Sequence, residues 1–312
     1  MSHYRPTITT TPTAHSGLLP MVLLLLVGSL LGLSLVVAKL AVKAGAAPLT
    51  LLVLSMLTAG TILLFGERLR KRPTPWNARV AEYGLVAGLL FALPNAIGFL
   101  AVEHVGASFL SLTFAFPILI TSVLALLLKM DRFNAQKAFG VAFGLLGGCV
   151  LAVSKASSAD SPVFWIALST LSPIVISLGN IYRTLRWPSD ASPTYLAAVM
   201  LLSGGLLLAP FAAMWARGSF SELIASPSVL IFLVVQISIF SVMYSLYFVL
   251  QQLAGPVYLS QIGSIAAVVG STVAIHFLGE ASPRNLGVAV ALIAVGMIIF
   301  QRGRVNGGAT PP

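Results

Sequence analysis

The chain of 312 residues is 58% hydrophobic and only 8% charged, with a mean hydropathy of +0.98. A soluble domain carries roughly 25% charged residues, so a soluble globular fold is excluded. The net charge of +10 is divided among short basic groups between apolar runs, which lipid headgroups and membrane topology explain better than nucleic acid does; a single cysteine, Cys149, leaves no material for a disulfide framework or a thiolate metal site.

A helix crosses the hydrocarbon core with about 20 apolar residues, and only helices or closed barrels satisfy every backbone group there. The apolar runs lack the polar-apolar alternation of barrel strands, so the expected fold is an all-α integral membrane protein. In chain order, ten transmembrane helices are expected at about 18–41, 48–66, 80–101, 106–128, 136–154, 162–183, 193–216, 229–251, 255–278 and 284–301. The apolar stretch of the first is longer than the roughly 7–15-residue core of a secretory signal, and it reads as a retained helix. The termini, 1–17 and 302–312, are rich in Thr, Pro and Gly and are expected to be disordered cytoplasmic tails. Residues 155–161 read as a linker between two halves, 18–154 and 162–301.

Basic residues fix the orientation. Arg5, the group Arg68, Arg70, Lys71, Arg72 and Arg79, then Lys129, Arg132 and Lys137, then Arg183 and Arg186, and finally Arg302 and Arg304 fall on one side of the membrane. Lys39, Lys43, Lys155, Arg217 and Arg284 fall on the other. By the positive-inside rule the richer side, which includes both termini, is cytoplasmic. Trp76, Trp165, Trp187 and Trp215 lie at or just beyond span ends, where an indole meets headgroup and tail together.

The chain also repeats itself. GASFLSLTFAFPILITSVLALLLKMD from Gly106 and GPVYLSQIGSIAAVVGSTVAIHFLGE from Gly255 share a leading Gly, the pairs Leu110/Leu259, Ser111/Ser260, Ser122/Ser271 and Ala125/Ala274, and a closing acid, Asp131/Glu280. The likeness continues from GVAFGLLGG at Gly140 to GVAVALIAV at Gly287. Each stretch is the fourth helix of a five-helix half. Because five is odd, the second half must enter the membrane upside down relative to the first, giving two inverted five-helix repeats.

In these features the chain resembles the drug/metabolite transporter superfamily, in particular its ten-helix EamA-like members. The resemblance rests on a fourth helix with a small residue, an apolar body and a terminal acid, followed by a Gly-led fifth helix, in each half. Gly279-Glu280 fits the family pattern, whereas Lys129-Met130-Asp131 replaces it in the first half; Pro48 is followed by Ser55 where members often place an Arg. Lys39 matches a basic residue that many members have at the end of the first helix. The resemblance implies transport and no enzyme activity.

Inverted repeats provide two arrangements of similar energy that open a central site to alternate sides. Pro94, Pro117 and Pro173 sit near the middle of helices three, four and six; each frees a backbone carbonyl, a defect tolerated beside a cavity and equally common as a packing kink. Gln236, Phe240, Tyr244, Tyr247 and Gln251 recur at steps of three and four on helix eight, placing them on one face. Tyr258 and Gln261 follow on helix nine, Phe91 and Asn95 on helix three, and Phe114 and Pro117 on helix four. Apart from Gln251, kept as part of the stripe, these are the candidate substrate-binding residues, each of which also has a plainer reading as interhelical glue. Lys39, His276 and Glu280 are candidates for gating or coupling; Lys39 and Arg183, near span ends, read first as snorkelling cations.

No acid falls at the midplane, which favours a neutral, zwitterionic or aromatic metabolite, amino-acid-like or drug-like, over a cation. Export across the cell membrane, inner or plasma, is the expected direction. A passive facilitator is the first alternative and a membrane-embedded enzyme the second, the histidines being too scattered for a catalytic cluster. No cofactor, metal or nucleic acid is expected; the partners are a small-molecule solute and the bilayer, with the chain a monomer or homodimer. The glycines at 140, 144 and 148 read as a close-packing stripe within the protomer, with a dimer contact as the alternative.

Overall fold

The computed structural model describes residues 18–129, 134–156, 162–215, 226–280 and 285–307. Among them the regular structure is helical throughout: α1 (Leu18–Lys43), α2 (Pro48–Leu69), α3 (Ala78–Val105), α4 (Ala107–Thr113), α5 (Pro117–Leu127), α6 (Ala135–Ala156), α7 (Val163–Leu185), α8 (Pro193–Trp215), α9 (Pro227–Leu259), α10 (Ile262–Leu278) and α11 (Leu286–Gly307). The expected N-terminal tail, residues 157–161 of the expected linker 155–161, residues 308–312 of the expected C-terminal tail and Asp131 lie outside the described residues, whereas 155–156 continue α6 and 302–307 continue α11, so the helices run further than the apolar stretches alone predict.

The helix boundaries follow local chemistry. Proline opens α2 and α5, where its missing N–H has no helical partner to lose. The Asn77 side chain caps α3 by accepting from the Val80 N–H at 3.0 Å. Among the described residues, seven segments are long and apolar enough to cross a membrane: α1, α2, α3, α4 with α5, α7, α8 and α9. The shorter apolar helix α10 and the helices α6 and α11 occupy three further positions read from the sequence. The molecule is an all-α, multi-pass membrane protein. Large aliphatic side chains such as Leu25, Ile62, Leu85, Leu89, Val234 and Val242 face outward, the surface a bilayer would cover.

Two spans are discontinuous. The expected helix 106–128 breaks at 114–116, where the chain tightens through bonds from the Phe114, Ala115 and Phe116 N–H groups to carbonyls three residues back and Pro117 then supplies no donor. Its counterpart separates from span eight at Gly255, with φ 75° and ψ 178°, and breaks at Ser260–Gln261 before α10. Gly106, with φ 88° and ψ 155°, performs the same turn between α3 and α4. These dihedrals are closed to side chains bearing a Cβ, and glycine is the residue that tolerates them. The two positions that lead the sequence repeat are thus the two that make the same backbone turn.

Packing joins elements from the two ends of the sequence. α1 lies against α9 and α10, while α7 lies against α3 and α5; α2 packs on α8, α4 on α10 and α6 on α11. The glycine stripe of α6 is used inside this chain. A Cβ at Gly296 of α11 would come 2.7 Å from the Gly140 carbonyl oxygen and 3.1 Å from the Gly144 Cα, and beside the stripe one at Gly147 would come 2.8 Å from Ile293.

Candidate functional site

Between these helices lies a cavity of about 80 Å³. Both helix breaks line it, the first through Phe114 and Pro117 and the second through Ser260, Ile262 and Gly263. The breaks cross closely, and a Cβ at Gly263 would overlap the Phe114 carbonyl. Non-helical backbone at such depth leaves peptide groups outside a helical ladder, which is tolerated where the chain lines a cavity rather than lipid. α3 contributes Phe91, Pro94, Asn95 and Phe99, and α9 contributes Met243, Tyr244 and Tyr247.

The aromatic wall is ordered edge to face. The Phe91 and Tyr244 rings are 4.8 Å apart at 84°, Phe240 and Tyr244 are 5.2 Å apart at 87°, and Phe99 and Phe240 are 6.4 Å apart at 78°. Such pairs hold a wall rigid through the positive ring edge meeting the negative face. Asn95 donates from Nδ2 to the Phe91 carbonyl at 2.8 Å, leaving its Oδ1 as an acceptor beside the cavity. Ser177 of α7 bonds the Pro117 carbonyl at 3.1 Å and the Pro173 carbonyl at 2.7 Å, tying the first break to α7.

Of the residues singled out by pattern, Phe91, Asn95, Phe114, Pro117, Tyr244 and Tyr247 border the cavity. Gln236 is fully buried away from it and donates to Ser34 Oγ at 2.6 Å, clamping α9 to α1. Phe240, also fully buried, backs the wall formed by Tyr244 and Phe99. Tyr258 and Gln261 are half-buried near the second break and are not part of the lining.

Pattern reading passed over Asn180, Met200, Ser260 and Gly263, and treated Arg183 as an interfacial cation. All five border the cavity. Arg183 is 3% exposed; its Nε donates to Gln251 Oε1 at 3.3 Å, and its Nη2 to Asn180 Oδ1 and the Tyr247 hydroxyl, both at 2.7 Å. The available signal was the spacing of Asn180 and Arg183 on one face of α7, matched by Tyr247 and Gln251 on one face of α9.

At one end of the bundle, Lys39 of α1 meets the Glu280 carboxylate just beyond α10. Glu280 also accepts from the Ala107 N–H at 2.9 Å, the Ser108 N–H at 3.0 Å and the Ser108 hydroxyl at 2.6 Å. Three segments are thereby latched together. Burial pushes the Glu280 carboxyl up, but the bonds from Lys39, Ser108 and Ala107 outweigh it and hold the group below its usual value. His276 is exposed and its Nδ1 faces the Thr272 carbonyl of its own helix at 3.0 Å, so it is not part of the latch. At the opposite end, exposed Arg186 pairs with Glu82 at 2.6 Å, and Glu67, fully buried, accepts from Ser192 with the Arg72 guanidinium 3.6 Å away.

Comparison with known proteins adds two findings. Residues 18–153 match the model of the EamA-like transporter family. A protein crystal structure shares 19% identity with a TM-score of 0.61, the match covering 89% of this chain and 98% of that one, which is a likeness of fold. No curated protein matches. The chain is thus similar to the EamA-like transporter family through residues 18–153 and similar in fold to a solved structure over most of its length.

Proposed function

We propose that the chain moves a small solute with an apolar or aromatic body across the cell membrane by alternating access, its halves being inverted five-helix copies with both termini in the cytoplasm. The observation that carries this reading is the crossing of the two helix breaks over the cavity: discontinuous helices from corresponding positions of two halves are the usual builders of transporter solute sites. The packing supports it too. Exchanging the halves turns the contact of α1 with α9 into that of α7 with α3, and leaves the contacts α2–α8 and α6–α11 as they are.

In this reading the Lys39–Glu280 latch is the gate at the outer end. It is closed here, and its opening would free the α4 end from α1 and α10. The opposite end, rich in arginine, faces the cytoplasm, and export is the direction proposed. Phe91, Asn95, Phe114, Pro117, Tyr244 and Tyr247 contact the solute, while Gln236 holds α9 against α1.

The test is counterflow in proteoliposomes with labelled aromatic metabolites and amino acids. Tyr244→Ala, which removes a wall of the cavity, is expected to raise the half-saturation concentration at least about tenfold, equivalent to about 1.4 kcal/mol. Gln236→Ala is expected to lower thermal stability by about 0.6 kcal/mol, the mean for an interhelical hydrogen bond in a membrane, and to leave half-saturation alone. Saturable exchange indifferent to Tyr244→Ala would move the solute elsewhere.

A further inference from the structure

Among the described residues, Arg183 carries a charge with no counter-charge. Its Nη2 is saturated by Asn180 and Tyr247, whose hydroxyl in turn donates to Asn180 Oδ1 at 2.7 Å. Nη1 has the poorest partner, the Met200 thioether at 3.8 Å. The rings of Tyr247 and Phe248 stand 5.4 and 6.0 Å from the guanidinium carbon. Every one of these partners is neutral. The ion pairs among the described residues are Lys39–Glu280, Arg72–Glu67 and Arg186–Glu82, and none involves Arg183.

Snorkelling accounts for a cation whose head reaches water. It describes Arg186, whose side chain is 55% exposed and which pairs with Glu82; Arg183, 3% exposed, is held inward. A guanidinium removed from water is costly unless an anion meets it, because neutral donors and rings orient it without cancelling its charge. Arg183, Asn180, Met200 and Tyr247 all border the cavity, so the anion has a place to bind.

We infer that the solute supplies the missing charge: it is an organic monocarboxylate whose head bonds Arg183 Nη1 and whose apolar or aromatic body lies against Phe91, Phe99 and Tyr244. The inference rests on the cavity being the transport site. One guanidinium matches one carboxylate. Among the described residues no acidic side chain borders the cavity to receive an ammonium group, so an amino acid is held less well than the corresponding acid lacking the amine. The range of neutral, zwitterionic and aromatic solutes read from the sequence narrows accordingly to aromatic or aliphatic anions.

The experiment measures equilibrium binding of 3-phenylpropanoate, its neutral amide and L-phenylalanine to the purified full chain in lipid nanodiscs, with counterflow of the same three in proteoliposomes. The carboxylate is expected to bind about tenfold or more tightly than either other probe, as a charge-assisted contact requires. In Arg183→Gln the ratio of carboxylate to amide affinity falls to about one. Asn180→Asp keeps the arginine but sets a competing carboxylate beside it, and the ratio collapses there as well. Equal binding of the three probes to the unaltered protein, binding of none of them, or a preference that survives both substitutions overturns the inference. Carboxylate binding without counterflow would sink the transport reading and leave the anion site standing; counterflow of all three probes alike would do the reverse.

Discussion

Glu280 joins more of the molecule than any other acid described, touching Lys39, Ala107 and Ser108 at once. Replacing it with Gln removes the ion pair and weakens the cap on α4, and is expected to cost about 2 kcal/mol, measurable as a lower unfolding temperature in detergent. The sign of the pH effect follows from the depressed carboxyl. The stability it contributes is complete above its unfolded value of 4.5 and disappears as pH falls through the lower folded value. The unaltered protein should therefore lose thermal stability below about pH 4.5, and Glu280→Gln should lack that component; parallel pH profiles would remove Glu280 from the latch. Residue patterns in the sequence identified this acid and Lys39 but not their union, since the two are far apart along the chain. His276 stands one turn before Glu280 along the chain but faces the Thr272 carbonyl of its own helix, and the glycine that ends α10, Gly279 at φ 65°, turns the chain toward Lys39 and α4 instead.

Helix eight shows what periodicity can and cannot reveal. Gln236, Phe240, Tyr244, Tyr247 and Gln251 are all buried on one face of α9, as a step of three and four requires. Periodicity fixes the direction a side chain points but not the depth at which a cavity opens beside it. Tyr244 and Tyr247 meet the cavity, Gln236 meets Ser34 and Gln251 meets Arg183. Arg183 itself was misleading because a cation near a span end is ordinarily exposed, and only the packing of α9 and α3 around α7 shows that it is not. The two turns at the head of the sequence likeness, by contrast, were legible. The leading glycines, Gly106 and Gly255, make equivalent turns with positive φ, and Gly106→Ala or Gly255→Ala is expected to cost about 1–3 kcal/mol through backbone strain. Neither glycine borders the cavity, so each variant should reduce folded yield and unfolding temperature before it alters affinity for a solute bound there. An unchanged melting curve for both would mean that the turns tolerate a side chain.

The arrangement of the bundle follows from two requirements acting together. Apolar surface must face lipid on the outside, and the polar backbone of broken helices must be sheltered inside. Placing the break of one half against the break of the other meets both and leaves the cavity between them. In the transport cycle proposed above, alternating access needs only that the latch at the Lys39–Glu280 end and the contacts at the Arg186–Glu82 end open in turn, each half taking the part of the other. The hydropathy of the chain made the helices readable, and the count of basic residues suggested their orientation; where the helices meet was not readable, because it depends on contacts between residues more than a hundred positions apart.

Inversion of the two halves is tested most directly by site-directed labelling in intact membrane vesicles of one orientation. With Cys149 replaced by Ser, single cysteines at Thr74, in the loop before α3, and at Gly279, after α10, are treated with a membrane-impermeant thiol reagent. The expected result is that the two positions react from opposite faces of the membrane, Thr74 from the cytoplasmic side and Gly279 from the outside. Reaction of both from the same face would contradict the inverted architecture and the transport cycle built on it.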